Sequence, residues 1–111
     1  MTTTQQRTVA DDAGERFDQR LFDIRTSLRV PKQLAAIIKL LLAREFVSHD
    51  TILTVAEDYG RCLDLTPGYS RIVIWRVRQR LPQGVRIETL GHDGYYMTRV
   101  SKAILLNAIS H

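Results

Sequence analysis

Apolar and polar residues follow a helical repeat over several stretches of the chain. Between residues 31 and 45, apolar residues recur every three to four positions, which predicts an amphipathic helix with Pro31 at its first position. The apolar stripe of this helix consists of Leu34, Ile37, Ile38, Leu41 and Leu42. We therefore predict that it is the first helix of the core.

A second helix is predicted directly afterwards. Ser48 is placed to cap a helix over residues 49–59, and Asp50 lies in its first turn, where a carboxylate complements the exposed backbone amides. Gly60 ends this helix.

A third helix is predicted over residues 67–81, with Thr66 as its cap and Pro67 as its first residue. At about 100° per residue, one face holds Ser70, Val73, Ile74, Val77 and Leu81, and the opposite face holds Ile72, Trp75, Arg76 and Gln79. If this helical-wheel assignment is wrong by one residue, Trp75 packs under the loop or the hairpin instead. The position of Trp75 therefore stays open.

Strand-like alternation follows the third helix. Residues 85–90 and 95–98 are predicted to form a β-hairpin around Gly91-His92-Asp93-Gly94, and residues 99–109 return to a helical pattern. Near the other end of the chain, Phe17, Leu21 and Ile24 have helical spacing, but residues 22–29 partly alternate as a strand would. That segment is compatible with either structure.

Length and composition place these elements in one domain. The chain has 111 residues, enough for a single core. Residues 1–14 contain almost no bulky apolar side chain and are expected to form a disordered polar tail, which leaves residues 15–111 as the folded domain. No stretch is long and apolar enough for a membrane span or a secretory signal, so a cytoplasmic location is expected. The single Cys62 agrees with a reducing compartment.

Positive charge is concentrated on the third helix and the segment after it. Residues 65–87 contain five arginines and no Asp or Glu, whereas the whole chain has a net charge of +4. The remainder therefore carries one net negative charge. An arginine-rich helix is often only a solvated surface, but such a surface usually mixes both signs, and this one does not. The segment is therefore a candidate site for an anionic partner such as nucleic acid.

Few residues suggest other chemistry. His49, Asp50, Cys62, His92 and Asp93 are the available metal-ligand types in predicted loops or caps, and no pair has zinc-site spacing. The sequence shows no nucleophile with an evident base and no glycine-rich phosphate loop. We expect neither an enzyme nor a metal or other cofactor.

The order of three helices and a hairpin, with arginines on the third helix, resembles a known family. Residues 28–98 look like the winged-helix DNA-binding domain of OmpR/PhoB-type response regulators. The resemblance is carried by Val30-Pro31-Lys32-Gln33-Leu34, Val47-Ser48-His49-Asp50, the run from Ile72 to Leu81, Ile87-Glu88-Thr89-Leu90 and Gly94-Tyr95. It implies an α+β winged helix-turn-helix fold with a three-helix core, a C-terminal hairpin wing and, here, an extra C-terminal helix.

The resemblance also implies roles for individual residues. The helix over residues 67–81 would be the recognition helix, with Arg76 reading a base, Arg78 and Arg80 facing phosphates, and Ile72 near a thymine methyl group. The complete set of expected DNA-binding residues is Tyr69, Arg71, Ile72, Trp75, Arg76, Arg78, Gln79, Arg80 and His92.

Three features depart from the family pattern. The segment before Pro31 is too short and too polar for the family's N-terminal four-stranded sheet, so any sheet there is expected to be truncated. The wing tip has Gly91 where the family often has arginine, and Asp93 adds negative charge. No receiver domain is part of this sequence, so control through receiver phosphorylation is not expected.

The sequence thus predicts a sequence-specific, double-stranded-DNA-binding transcriptional regulator. The alternative is a winged-helix module that binds another protein through Ile72 and Trp75, because an exposed Trp beside Arg is typical of protein-binding hot spots. A homodimer is expected through residues 99–109, with Ile104, Leu105, Leu106 and Ile109 at its interface. Equally open is packing of this helix against the segment around Phe17 and Leu21 of the same chain.

Overall fold

The computed structural model describes residues 18–59 and 67–109. Within these two ranges the chain forms five α-helices and one three-stranded antiparallel sheet, so the fold is α+β. Predictions that concern the polar tail, Phe17, Gly60, Cys62 and Thr66 lie outside the described residues.

The segment that was compatible with helix or strand is helix α1 (Gln19–Leu28). Asp18 caps it by accepting a hydrogen bond from the Leu21 backbone N–H at 3.0 Å, and Leu21 and Ile24 point into the core. Residues 18–30 contain no strand, because the cap and the buried pair at helical spacing favour a helix. They do not contradict the expectation that any sheet before Pro31 is truncated.

An ion pair ties the start of α1 to the next helix. The Lys39 ammonium donates a hydrogen bond to the Asp18 carboxylate. This bond, together with the Leu21 N–H, holds the pKa of Asp18 below its ordinary value.

Helix α2 (Lys32–Ala43) is part of the core, as predicted. Its buried residues are Leu34, Ala35, Ala36, Ile37, Ile38 and Leu41. Pro31 is the N-cap residue and not the first helical residue, because its ψ of 163° is extended. The helix ends two residues before the predicted Glu45, since Arg44 is already extended and leads into strand β1 (Val47–Ser48).

Helix α3 (His49–Tyr59) has the predicted bounds. The Ser48 hydroxyl accepts a hydrogen bond from the Thr51 backbone N–H at 3.2 Å, which confirms the predicted cap. Ile52, Leu53 and Ala56 bury one side of α3.

Helix α4 (Pro67–Arg78) ends three residues earlier than predicted. The backbone N–H groups of Arg80 and Leu81 bond three residues back, to Val77 and Arg78, at 2.9 and 3.5 Å. A proline disfavours helical backbone in the residue before it, so Pro82 accounts for the tightening of the last turn into a 3₁₀-type turn.

The hairpin consists of β2 (Ile87–Leu90) and β3 (Gly94–Met97), joined through the predicted turn. Strand β2 begins two residues later than predicted, whereas β3 has the predicted length but lies one residue earlier. Strand β3 pairs with both β1 and β2, which gives the order β1-β3-β2. Ile87, Tyr95 and Met97 face the core. The sheet therefore closes the side of the core next to α2 and α3.

Helix α5 (Arg99–Ile109) has the predicted bounds and packs on α1 of the same chain. Leu105 and Ile109 are buried there, and the Ser27 hydroxyl donates a hydrogen bond to the Ile109 carbonyl at 3.4 Å. Two of the four residues expected at a dimer interface are thus part of the chain's own core.

Candidate nucleic-acid interface

The exposed side of α4 is the most distinctive surface of the described structure. Val73, Ile74 and Val77 are completely buried, so the helix is held firmly against the core. The opposite side, which we call the outer face of α4, consists of Ile72, Trp75, Arg76 and Gln79, with Arg71 flanking it, and all five are exposed. The two faces assigned from the sequence are confirmed.

Two apolar side chains lie on this otherwise polar face. Trp75 is 61% exposed and Ile72 is 46% exposed. The alternative in which Trp75 packs under the loop or the hairpin is therefore wrong. Large side chains that remain this exposed next to one another are typical of binding surfaces.

Positive charge dominates the outer face and continues beyond the helix end. Arg71, Arg76 and Arg80 are exposed, and residues 65–87 contribute no carboxylate to the surface. The nearest acidic side chain in sequence after this segment is Glu88, whose carboxylate lies 3.9 Å from Arg86 Nε. Among residues 18–59 and 67–109, the ion pairs are Lys39 with Asp18 and Arg86 with Glu88, so an anionic partner that approaches α4 would meet arginines without an ion-pair partner in these ranges.

Arg78 differs from its neighbours because its guanidinium is engaged within the chain. Nη2 donates a hydrogen bond to the Ile87 carbonyl at 2.8 Å, and the guanidinium carbon lies 6.0 Å from the centre of the Tyr95 ring. Arg78 thus links the C-terminal end of α4 to both strands of the hairpin. The sequence expectation grouped it with Arg80, and nothing in the sequence distinguishes the two residues.

A groove separates the end of α4 from β2. It has a volume of about 580 Å³ and is lined by Arg78, Val85, Arg86, Ile87, Glu88 and Thr89. The backbone N–H of Arg86 donates to the buried Ser101 hydroxyl at 3.0 Å, which fixes one wall of the groove to α5. The groove therefore continues the basic surface of α4 along the hairpin.

A hydrogen bond that sequence reasoning missed sets the position of α4 relative to α3. His49 Nδ1 and the completely buried Ser70 hydroxyl are hydrogen-bond partners, and the His49 ring meets Tyr95 edge to face at 5.1 Å. The His49 backbone N–H also donates to the Asp93 carbonyl at 3.3 Å. No sequence signal links His49 with Ser70, because the two residues are 21 positions apart.

The remaining predicted site residues lie at the edges of this surface. Tyr69 is half-buried and packs against the core, and Arg80 follows the last turn of α4. His92 is exposed at the hairpin turn beside Asp93. The structure thus places Arg71, Ile72, Trp75, Arg76 and Gln79 together and leaves His92 on a separate element.

Other kinds of site find little support. Over residues 18–59 and 67–109, no group of three His, Cys, Asp or Glu side chains could hold a metal ion. In the same ranges, every helix is too short or too polar to cross a bilayer.

No protein-family model, curated protein or solved structure matches this chain. The case for a function therefore depends on the geometry of the outer face of α4 and its neighbours.

Proposed function

We propose that this chain is a sequence-specific, double-stranded-DNA-binding transcriptional regulator with a winged helix-turn-helix architecture. In this proposal α2, α3 and α4 are the three-helix core, α4 is the recognition helix and the β2–β3 hairpin is the wing. The observation that carries the proposal is the outer face of α4, an exposed arginine-bearing surface on a helix whose opposite side is completely buried.

The arrangement of elements supports this proposal. The B-DNA major groove admits one α-helix, and a helix with a free outer face can enter it without unfolding. The Arg78 guanidinium fixes the hairpin next to the C-terminal end of α4, so both elements can meet the duplex from the same side. An element order of helix, strand, helix, helix and hairpin agrees with the winged-helix resemblance of the sequence.

The side chains on the outer face suit different parts of a duplex. Arg76 can form a bidentate contact with guanine, and Gln79 can do so with adenine. Arg71 and Arg80 are exposed and are assigned to phosphates, where they would supply affinity without sequence information. Tyr69 and His92 are assigned to the periphery of the interface.

A pair of matched triple variants tests the proposal. In one, Arg71, Arg76 and Arg80 are replaced by Gln; in the other, Arg20, Arg25 and Arg29, which are exposed on or next to α1, are replaced by Gln. Each variant lowers the net charge of +4 by three. Fluorescence anisotropy with a labelled 30-base-pair random duplex should show a loss of affinity of at least about 10-fold for the first variant, because phosphate contacts are lost.

The α1 variant should bind that duplex within about twofold of the parent, since long-range attraction alone is largely screened by salt. Equal losses in the two variants would mean that only net charge matters, and parental binding by both would remove α4 from the interface.

The exposure of Trp75 favours a second candidate function, which is binding of another regulatory protein through Ile72 and Trp75. Trp75 is the single tryptophan of the chain, so its fluorescence reports directly on this surface. A change in emission on addition of duplex supports DNA binding. Unchanged emission with duplex, together with a co-purifying protein that is lost in Trp75→Ala, supports the second candidate.

A further inference from the structure

Strand β2 lies at the edge of the sheet, beside the groove at the end of α4. The sheet order β1-β3-β2 gives β2 a single neighbouring strand among residues 18–59 and 67–109. In an antiparallel sheet, a residue directs its backbone N–H and C=O to the same side, and successive residues alternate between the two sides. Every second residue of β2 therefore presents a donor and an acceptor away from β3.

The hydrogen bonds around β3 show which residues of β2 these are. The His49 backbone N–H donates to the Asp93 carbonyl at 3.3 Å, in continuation of the pairing between β1 and β3. Alternation along β3 then directs the backbone of Tyr96 towards β2, where its partner in the register is Glu88. The backbone of Glu88 therefore bonds towards β3.

Ile87 and Thr89, on either side of Glu88, consequently direct their backbone groups outward, and we call these groups the free edge of β2. The Ile87 carbonyl agrees with this direction, because it accepts the hydrogen bond from the Arg78 guanidinium at 2.8 Å. Thr89 is exposed, and no described residue outside the sheet bonds to its backbone. The free edge thus offers the N–H and the C=O of Thr89 to a ligand.

A ligand at this edge must supply both an acceptor and a donor. The phosphates of DNA only accept hydrogen bonds, so a duplex could meet the Thr89 N–H but would offer nothing to its carbonyl. An extended peptide backbone supplies a C=O and an N–H at the spacing of a strand, which is how peptides add to the edges of sheets. The free edge therefore suits an extended peptide segment.

The groove beside the free edge has room for one such segment and is basic. Its volume of about 580 Å³ is within the range of pockets that enclose a single small ligand. Its described lining residues include two cations, Arg78 and Arg86, and one anion, Glu88. The Arg86 side chain is 80% exposed, and its Nε lies 3.9 Å from the Glu88 carboxylate. An acidic side chain on the segment would therefore be attracted to Arg86.

We infer that the free edge of β2 binds an extended, acidic segment of another protein by strand addition, with Thr89 exchanging two backbone hydrogen bonds with it. A second copy of this chain is a poorer occupant, because it would bring a second basic groove to the first. The inference concerns a surface apart from the outer face of α4 and does not rest on the proposed function.

The test selects its probe from a phage-displayed library of random decapeptides presented with the whole chain. The most enriched peptide, which should contain an acidic side chain, is synthesised with a fluorescent label, and its affinity is measured by anisotropy. Its backbone nitrogens are then methylated one at a time. Strand addition predicts a loss of at least about 10-fold at the nitrogen that meets the Thr89 carbonyl, and changes below about twofold at the nitrogens on either side, which point away from β2.

Variants of β2 test the same hydrogen bonds from the other side. Thr89→Pro removes the outward N–H, which an edge strand tolerates, and should lose at least about 10-fold in affinity for the peptide while the chain stays folded. Thr89→Val keeps both backbone groups and is the matched control, so it should bind within about twofold of the parent. Arg86→Gln should weaken binding by about two- to fivefold, as expected for an exposed charge pair.

Amide hydrogen exchange locates the bound peptide and decides the matter even if Thr89→Pro fails to fold. Saturation with the peptide should slow exchange of the Thr89 amide by at least about 10-fold. The Glu88 amide is already bonded to β3 and should change little.

Several results would overturn the inference. They are failure of the library to enrich any peptide, an enriched peptide whose affinity does not depend on the Thr89 N–H, and an unchanged Thr89 amide at saturation. Protection of that amide by a random 30-base-pair duplex and by no peptide would assign the free edge to DNA instead. Protection that grows with the concentration of the chain alone would assign it to a second copy.

Discussion

Two arginines that look equivalent in the sequence have different environments in the folded chain. Arg78 and Arg80 both belong to the basic segment and both are exposed, yet the Arg78 guanidinium donates a hydrogen bond to the Ile87 carbonyl and Arg80 has no such bond among the described residues. This difference depends on the placement of β2 beside the end of α4. The local sequence therefore predicts that arginines lie at the surface. It does not predict which of them stabilises the fold through a hydrogen bond.

Alanine variants of these two residues should separate structural from electrostatic roles. Arg78→Ala should lower the free energy of unfolding by about 1 kcal/mol, the usual net value of such a hydrogen bond. Arg80→Ala should change it by less than about 0.5 kcal/mol but should reduce the salt dependence of DNA binding by one phosphate contact. Urea denaturation and salt titrations measure the two effects. Equal stability of the two variants would contradict the assignment.

The contacts of Asp18 fix the sign of its contribution to the pH dependence of the free energy of unfolding. Lys39 and the Leu21 N–H lower its folded pKa from the ordinary 3.8, so the carboxylate contributes stability above that pH, which is lost as the pH falls through the lower folded pKa. Asp18→Asn keeps an acceptor for the cap but removes the charge. It should cost less than about 1 kcal/mol at neutral pH, because the pair is partly exposed.

Thermal melts of the Asp18→Asn variant and the parent should converge once the pH falls below the lowered pKa of Asp18, where the parent carboxyl is protonated. Lys39→Gln should produce a similar loss, and the double variant should lose little more than either single variant. A gap between the Asn variant and the parent that stays constant down to that pH would show that the charge does not cause the difference.

At the level of elements, amphipathic periodicity predicted the faces of the helices better than their ends. The two faces of α4 follow from a repeat that is local, so the exposure of Ile72 and Trp75 could be predicted. The end of α4 depends on Pro82, and the two-residue strand β1 depends on pairing with β3, which lies 48 positions away in the register of Val47 with Tyr95. Such a short strand has no periodicity of its own.

The close approach of β1 and β3 predicts a sensitive position in the hairpin. A Cβ atom on Gly94 would overlap the Val47 carbonyl oxygen and lie 2.8 Å from Ser48 Cα, both in the backbone of β1. Gly94→Ala should therefore lower the free energy of unfolding by more than about 2 kcal/mol.

Gly91→Ala is the matched control for this prediction. Gly91 has a φ of +55°, and a Cβ there would meet nothing within 4 Å, so only the left-handed backbone opposes the substitution. We expect a cost of about 1 kcal/mol. Urea denaturation that ranks Gly91→Ala as equal to or worse than Gly94→Ala would contradict the close approach.

On the scale of the whole molecule, the α+β class and the order of α2, α3, α4, the hairpin and α5 could be predicted from the sequence, whereas α1, β1 and the packing of α5 could not. Its apolar residues surround much of the helix, and periodicity alone does not decide which of them meet α1. The structure buries Leu105 and Ile109 and leaves Val100, Ile104 and Leu106 exposed. Packing against the segment around Leu21 is therefore confirmed for the described residues, and pairing of two chains stays a prediction.

The predicted homodimer has to use the exposed part of α5. Val100→Asp should convert the dimer to a monomer without loss of the fold, because Val100 is not part of the core. Leu105→Asp should unfold the chain instead, since it places a carboxylate in a fully buried position. Light scattering and circular dichroism distinguish these results. A parent chain that stays monomeric at high concentration would contradict the dimer.

The most direct test of the central claim is the affinity of the whole chain for a random 30-base-pair duplex at 50 and 200 mM salt. If α4 meets the DNA backbone with two to four basic side chains, the dissociation constant should rise by about 10- to 100-fold over this range for each bound protomer, because each phosphate contact releases counterions. An undetectable affinity at 50 mM salt, or an affinity that does not change with salt, would contradict DNA binding by this surface.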